Sequence, residues 1–272
     1  MNIGQTILLG IIQGLTEFLP ISSSGHLVLF QHIIGLKEPE VLLDVALHIG
    51  TLLAILYFFL DDIKGMTIDG LGFIKDLVVR KKTLVEIRQM PNVALILWII
   101  IGTVPTGIIG ITFKPLFTYM FGSAFVVGLM LIVTGLILWS SLFIPEDMKA
   151  NREPGLISAI LVGIMQGAAI IPGISRSGST IVCGLFCGLN RGAAGKFSFL
   201  LSVPAIIGAS LLEFDIDRIT KIGAVPFILG IAVSFIVGVL SLKATMALVR
   251  KGDLYYFTPY CILVGIITII IV

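Results

Sequence analysis

The sequence predicts an all-α polytopic membrane protein made of two inverted repeats, each a re-entrant helical hairpin followed by three transmembrane helices. Three observations carry that prediction. Hydrophobic residues make up 57% of the 272 and charged residues only 12%, against about 25% charged in an ordinary soluble domain. Too little polar side chain exists to cover a water-facing surface. Several apolar runs reach the ~20 residues that cross ~30 Å of hydrocarbon. Two further runs are broken in the middle and match each other.

The same composition excludes a water-soluble enzyme and a disordered chain. A net charge of +2 gives no basis for nucleic-acid binding, which needs a concentrated basic face. Cys183, Cys187 and Cys261 all lie within apolar runs and suggest no disulfide framework. No Lys or Arg precedes Lys37, so the N-terminus lacks the basic region of a secretory signal.

Transmembrane segments are expected at 44–60, 92–112, 122–144, 196–213, 222–243 and 254–272. Segments 44–60 and 196–213 are short and are expected to run into neighbouring turns. The stretches 3–36 and 155–190 differ. Each is interrupted by Pro, Gly and Ser: Leu19-Pro20-Ile21-Ser22-Ser23-Ser24-Gly25 and Ile171-Pro172-Gly173-Ile174-Ser175-Arg176-Ser177-Gly178. Proline ends a helix by removing a backbone donor and clashing with the preceding turn. Bare backbone at membrane depth is tolerated only within protein or beside a wet cavity. Two re-entrant hairpins, 3–36 and 155–190, satisfy both conditions.

The two broken stretches align without gaps at an offset of 153, with eight of the sixteen positions from 10 to 25 identical. Three spans follow each hairpin, and three is odd, so the halves 1–145 and 146–272 insert with opposite orientation. Under this topology thirteen Lys and Arg fall on one side and four (Lys37, Lys114, Arg218 and Lys221) on the other. That bias puts the N-terminus outside the cell membrane and the 61–90 segment in the cytoplasm. The 61–90 segment, of mixed charge, reads as a solvated, partly helical connection on the cytoplasmic face.

Inverted repeats place their site near the midplane, at the tips of discontinuous helices. Glu17, His26 and Arg176 are the ionisable residues that fall there. A charge at the bilayer centre costs roughly 2.5–3.5 kcal/mol on insertion scales, so each requires a partner or a task. A Glu17–Arg176 pair that merely pins the halves together is the plain structural alternative. Ser22, Ser23, Ser24, Ser175 and Ser177 crowd the two tips, with Thr180 just beyond. Gly25 and Gly178 are expected to turn the backbone with its N–H groups open. Helix N-termini and an arginine fork both favour a bound phosphate. Ser23 has two candidate bases, His26 one helical turn away and Glu17, which could instead orient His26 or hold a divalent cation. Gln13 lies one turn before Glu17 on the same face.

Other candidates carry less. Cys183 and Cys187 at i, i+4 read as core, as do His32 and His48, although Asp44 and His48 at i, i+4 could support the site from behind. Trp98, Trp139, Tyr255, Tyr256 and Tyr260 suit interfacial belts.

Gln13-Gly14-Leu15-Thr16-Glu17-Phe18-Leu19-Pro20-Ile21-Ser22-Ser23-Ser24-Gly25-His26 resembles the first signature of the undecaprenyl-diphosphate phosphatases, also called the bacitracin-resistance protein family. Pro172-Gly173-Ile174-Ser175-Arg176-Ser177-Gly178-Ser179-Thr180 is similar to the second, Pro-Gly-x-Ser-Arg-Ser-x-x-Thr. The resemblance, which covers essentially the whole chain, implies hydrolysis of a C55 polyprenyl diphosphate to its monophosphate. That regenerates the lipid carrier for peptidoglycan and other wall polymers and gives tolerance to bacitracin. It implies that Glu17 and Arg176 are essential, with Ser23 or His26 the nucleophile or its helper and a divalent cation such as Mg2+ assisting. Gln13 stands where many members have Glu, which shifts weight in metal binding to Glu17, through the substrate phosphate.

On this reading the diphosphate docks between the tips against Gln13, Ser22, Ser24, Ser175, Arg176, Ser177 and Thr180, and Ser23 attacks the terminal phosphorus. The expected partners are the lipid substrate and the bilayer, with a second copy of the chain retained as a candidate. The rival is a transporter or flippase of a polyprenyl phosphate or small anion using the same midplane site.

Overall fold

A computed structural model of the chain describes residues 3–33, 41–80, 90–144, 153–213 and 223–271. Among the described residues every regular element is helical. The first broken stretch comprises α1 (Ile3–Thr16) and α2 (Ser23–Ile33); α3 (Val41–Phe58) and α4 (Leu60–Arg80) follow. Next come α5 (Pro91–Thr112), the short α6 (Lys114–Phe121) and α7 (Ala124–Ser140), which tightens into a 3-10 turn over Ser141–Phe143. The second broken stretch comprises α8 (Leu156–Ala168) and α9 (Arg176–Phe186). It leads into α10 (Arg191–Glu213), α11 (Ala224–Lys251), a 3-10 turn over Leu254–Phe257 and α12 (Thr258–Ile271).

Five of these segments are long and apolar enough to cross a membrane: Pro91–Thr112, Ala124–Phe143, Arg191–Leu212, Ala224–Lys251 and Leu254–Ile271. A sixth is the pair Leu43–Phe58 and Leu60–Leu77, bent by 73° at its junction. The five correspond to predicted spans; of the bent pair, Leu43–Phe58 corresponds to predicted span 44–60, while Leu60–Leu77 falls in the 61–90 segment expected to be a solvated connection. The chain is a multi-pass membrane protein. The breaks fall where Pro and Gly foretold them, with α1 ending at Thr16 and α8 at Ala168.

The boundaries differ in three places. Segment 196–213 is not short: α10 begins at Arg191, because Asn190 accepts a bond from the Ala193 N–H and starts the helix early. The 222–243 span continues to Lys251, where Gly252 closes α11 with a left-handed φ of 88°. Lys243 therefore lies inside a helix and not in a loop. The 61–90 segment is helical over its first twenty residues, as α4. Asp61 and Asp62 favour the helix N-terminus. Phe73 and Leu77 pack on Val93 and Leu97, while Ile68, Leu71 and Ile74 remain exposed on another face. Residues 34–36 of the predicted first hairpin, the 145/146 boundary, residues 222 and 272 of the last two spans and the His32 side chain lie outside the described residues.

Packing crosses between the halves of the chain. Helix α1 packs mainly on α11, and α8 mainly on α5, while α7 and α12 pack on each other. Within lipid there is no hydrophobic drive to pair helices, so close van der Waals contact and backbone-directed hydrogen bonds decide the pairing. Gly128 and Gly265 illustrate the first. A Cβ on either would sit 2.6–2.8 Å from the other's carbonyl oxygen, so only glycine lets α7 and α12 approach so far. The second appears twice. Ser241 of α11 donates to the Leu15 carbonyl of α1 (2.7 Å), and Thr106 of α5 donates to the Gly163 carbonyl of α8 (2.8 Å).

The interior is aromatic under the first break. Phe18 meets Phe199 edge-on at 5.7 Å, and Phe59 lies 6.5 Å from the same ring. All three are buried. An ion pair between Lys196 of α10 and Asp62 of α4 ties the start of α4 to the bundle.

Candidate active site

Two tips meet at the centre, residues 17–22 and 169–175. Each second helix is capped by its own serine: Ser22 accepts from the Gly25 N–H (3.2 Å) and Ser175 from the Gly178 N–H (3.1 Å). This corrects the expectation that Gly25 and Gly178 hold the turn with open N–H groups. Both glycines are helical, and their own N–H groups are capped. What they permit is contact between the tips. A Cβ on Gly25 would lie 3.2 Å from Gly173 Cα, and one on Gly178 would lie 3.1 Å from Pro20 Cβ. Positions 20 and 173 are themselves separated by the repeat offset of 153, so the two contacts mirror each other. The turning is done elsewhere, by Gly173 (φ 97°) in one tip and Ser22 (φ 69°) in the other. A left-handed conformation costs an L-residue about 1–2 kcal/mol, so Ser22 needs outside support.

Three further bonds, made by two side chains, anchor the tips from opposite halves of the chain. Thr134 of α7 donates to the Gly173 carbonyl (2.8 Å) and accepts from the Ser175 N–H (2.9 Å). Cys261 of α12 directs its thiol at the Pro20 carbonyl (3.8 Å).

Glu17, buried on the first tip, is the hub. Arg176 donates from Nη2 to its Oε1 at 2.6 Å. Its Oε2 accepts from Ser23 Oγ at 2.7 Å and from Gln13 Nε2 at 3.0 Å. The repeat thus brings Gln13, Glu17, Ser23 and Arg176 together, as expected. Ser23, Ser24 and Arg176 are partly open while Glu17 beneath them is closed. A ligand therefore reaches the hydroxyl and the guanidinium before the carboxylate. Arg176 Nη1 is buried without a hydrogen-bond partner among the described residues, and an unpaired charged donor beside a nucleophile suits a phosphate oxygen. The first N–H groups of α2 and α9, at 23–24 and 176–177, are of the kind a helix leaves unpaired and add to the same field.

His26 is turned away from this cluster. Its Nδ1 donates to the Ser22 carbonyl (2.7 Å), so its Nε2 accepts from the Tyr260 hydroxyl (2.8 Å). With both ring nitrogens engaged, it is Glu17 that receives the Ser23 hydroxyl here. The remaining serines are also occupied. Ser22 and Ser24 lie 3.3 Å apart, and Ser175 lies 3.3 Å from Ser177, which donates to the Leu19 carbonyl across the tips (3.3 Å). Thr180 is fully buried, bonded to the Arg176 carbonyl (2.6 Å) and to Ser198 of α10 (2.6 Å), and so fixes α9 in place.

Sequence reasoning did not foresee four contributors: Thr134, Ser198, Tyr260 and, as a direct neighbour of Glu17, His48. The His48 Nδ1 donates to the Asp44 carbonyl (2.7 Å), and its Nε2 faces Glu17 Oε2 at 3.9 Å. Gln31 donates to the Asp44 carboxylate (3.0 Å). The i, i+4 spacing of Asp44 and His48 was the available signal. Cys183, Cys187 and Cys261 are free thiols.

The residues present can be tested against a divalent cation. No group of three or more His, Cys, Asp and Glu suited to a metal occurs among the described residues. Magnesium, however, is usually held by one or two protein oxygens plus substrate phosphates. Gln13 Oε1 is buried without a hydrogen-bond partner among the described residues. The amide cannot be reversed to pair it, because Nε2 must donate to the Glu17 carboxylate. Gln13, through that amide oxygen, and Glu17 therefore fit a cation carried largely by a diphosphate.

A family model described as "Bacitracin resistance protein BacA" matches residues 6–267. A protein of Desulfatibacillum aliphaticivorans named "Undecaprenyl-diphosphatase" is 45% identical over 263 residues, covering 96% of this chain and 95% of the relative. Proteins of the same name from Desulforapulum autotrophicum and Methanosphaera stadtmanae are 42% and 41% identical; they cover 99% and 100% of this chain and 98% of each relative.

Proposed function

The chain belongs to the bacitracin resistance protein BacA family, and from that premise we propose that it is an integral membrane phosphatase. It hydrolyses undecaprenyl diphosphate to undecaprenyl phosphate and inorganic phosphate. The observation that carries the reading is Ser23 Oγ donating at 2.7 Å to the Glu17 carboxylate, whose other oxygen pairs with Arg176. A hydroxyl becomes a nucleophile when a base lies within hydrogen-bond reach, and Glu17 is in place.

The terminal phosphate lies against Arg176, with Nη1 and the N–H groups opening α2 and α9 taking its oxygens. Ser24 lines the approach, Ser177 holds the two tips together at the Leu19 carbonyl, and Ser22 and Ser175 contribute as the caps that aim those N–H groups. Ser23 Oγ attacks phosphorus as its proton passes to Glu17 Oε2. The bond to the bridging oxygen breaks, and the prenyl monophosphate leaves with that electron pair. Water then displaces the phosphoryl group from Ser23, and Glu17 returns the proton to the departing Oγ. Phosphoryl transfer depends mainly on positioning and charge stabilisation, which is what an ion pair held across two tips supplies. A divalent cation, Mg2+ in this reading, would be held by Gln13 and Glu17 together with the diphosphate, and would supply neutralisation of phosphate charge.

The architecture accompanying this reading is two inverted repeats, 1–145 and 146–272, each with a re-entrant hairpin. It is supported by the reciprocal packing of α1 on α11 and α8 on α5, and by the mirrored contacts Gly25–Gly173 and Gly178–Pro20. Membership of the family implies that the tips open to the outer face, where undecaprenyl diphosphate is recycled for wall synthesis and where bacitracin would compete for it.

The test is phosphate release from a C55 prenyl diphosphate by purified protein in detergent, with magnesium or EDTA, beside Ser23→Ala, Glu17→Ala and Arg176→Ala. Metal-dependent release lost in all three variants is the expected result. Folded protein that binds the lipid yet releases no phosphate would overturn the phosphatase in favour of carriage.

A further inference from the structure

His26 and Tyr260 form a pair that the phosphatase chemistry above leaves without a task. Their rings lie side by side with centroids 5.7 Å apart and planes 3° from parallel, and the Tyr260 hydroxyl reaches His26 Nε2 at 2.8 Å. The other ring nitrogen holds the Ser22 carbonyl at 2.7 Å. Ser22 is the single non-glycine residue with positive φ among the described residues, and it immediately precedes Ser23. Strained backbone persists where its surroundings over-determine it, and here the surroundings can be named. The first turn of α12 grips the tip on both sides of Ser22: Cys261 at the Pro20 carbonyl before it, Tyr260 at His26 after it.

The second tip provides the internal control. Ser175 occupies the matching cap position and makes the matching bond to its glycine N–H, yet its backbone is ordinary, with φ −73°. Ser179 stands where the first tip has His26, and it bonds the Arg176 carbonyl one residue further on. Two caps with the same side-chain bond thus differ in backbone, and they differ where a histidine replaces a serine.

We propose that Tyr260 is a positioning residue for the hydrolysis. Through His26 it holds the Ser22 carbonyl in the left-handed turn that aims Ser23 Oγ at Glu17. His26 then acts as a strut fixed in its Nδ1–H form, with Tyr260 donating to Nε2, and the proton of Ser23 goes to Glu17 alone. This inference rests on Ser23 being the nucleophile.

The experiment compares Tyr260→Phe, His26→Asn, His26→Ala and Ser23→Ala in the full chain, with the C55 prenyl diphosphate as substrate. Phenylalanine keeps the ring and removes the hydroxyl. Asparagine can still donate to the Ser22 carbonyl but has no basic nitrogen. Expected are a fall of about tenfold in kcat for Tyr260→Phe with KM within twofold, and at least tenfold more turnover in His26→Asn than in His26→Ala. The chain has three histidines, so 15N-histidine labelling resolves the ring directly. The Nε2 signal of His26 should lose its hydrogen-bond shift in Tyr260→Phe. Parental kcat with an unmoved His26 signal would overturn the proposal, as would a loss confined to KM. Equal inactivation by His26→Asn and His26→Ala would make His26 a base and overturn it too. If Ser23→Ala retains turnover, the nucleophile assignment falls and takes this inference with it. If Ser23→Ala is silent while Tyr260→Phe is normal, only the inference falls.

Discussion

Replacing Glu17 by Gln isolates what the carboxylate does. It accepts three hydrogen bonds, from Arg176, Ser23 and Gln13. The amide has one oxygen and must present its NH2 to one of those donors. Turning the carbonyl toward Ser23 and Gln13 points the NH2 at Arg176 Nη2, which releases the guanidinium toward phosphate. Binding of the diphosphate is therefore expected to hold or tighten. Turnover is not. A positioned general base contributes about 10²–10⁴-fold, equivalent to about 2.7–5.4 kcal/mol at 1.36 kcal/mol per tenfold, and an amide cannot accept the Ser23 proton. The assay is steady-state phosphate release for kcat, with binding of a non-hydrolysable prenyl diphosphate analogue measured separately. Removing one partner of a buried ion pair costs about 3–5 kcal/mol, so Glu17→Asp is measured beside it. Aspartate keeps the charge and draws the carboxylate back by one methylene from Ser23. Both variants should lose at least a hundredfold in kcat. Turnover within tenfold of the parent in either folded variant refutes Glu17 as the base, and a loss expressed through weaker binding alone refutes it equally.

Arg176→Lys keeps the charge but replaces a fork by a point. One charge-assisted bond, to Glu17 or to phosphate, is then lost; at about 1.5–3 kcal/mol the cost is about 10- to 150-fold in kcat/KM, and a parental value would sink the clamp. Gly178→Ala places a Cβ 3.1 Å from both Pro20 Cβ and Leu138 Cδ2. Overpacking of this kind costs about 1–3 kcal/mol, so a lower Tm and reduced turnover should appear together, and an unchanged Tm would count against close tip contact. Gln13→Glu sets a second carboxylate beside Glu17 where an unpaired amide oxygen now stands. The magnesium concentration for half-maximal turnover should fall, and an unchanged value would remove Gln13 from the cation's neighbourhood.

What the sequence made legible is what local chemistry decides. Pro20, Gly173 and the serines had to interrupt their helices, and the 153-residue offset then set Glu17 opposite Arg176. The limits of α10 and α11 were less visible. An Asn190 cap and a left-handed Gly252 sit beyond the apolar run that marks a span, so hydropathy ends before the helix does. His26 was misdirected by helical spacing, since one turn from Ser23 is also one turn from the Ser22 carbonyl, and the choice between them was made by Tyr260. That residue lies 234 positions away in the chain. Thr134 was hidden because on a single apolar helix a polar side chain gives no sign of which tip it faces; the Asp44–His48 spacing marked His48 as support for the site but not as a direct neighbour of Glu17.

The two tips share a cap, a glycine and an approach distance, and they differ where chemistry requires it. Position 17 is Glu against Ile170, and position 23 is Ser against Arg176. The first tip carries Glu17 and leads into Ser23, and the second leads into the guanidinium of Arg176. A guanidinium placed beside the nucleophile on one tip would have had to reach the carboxylate along a strained turn. Placed at the start of the opposing helix, it reaches Glu17 Oε1 at 2.6 Å while the helix is capped normally. Neither tip is complete alone, so the site exists only as accurately as the tips are docked. The docking is governed by carbonyls held from α7 and α12, a pair whose own backbones are brought together by Gly128 and Gly265. A change in how those two helices pack would therefore move Ser23 relative to Arg176 without touching either.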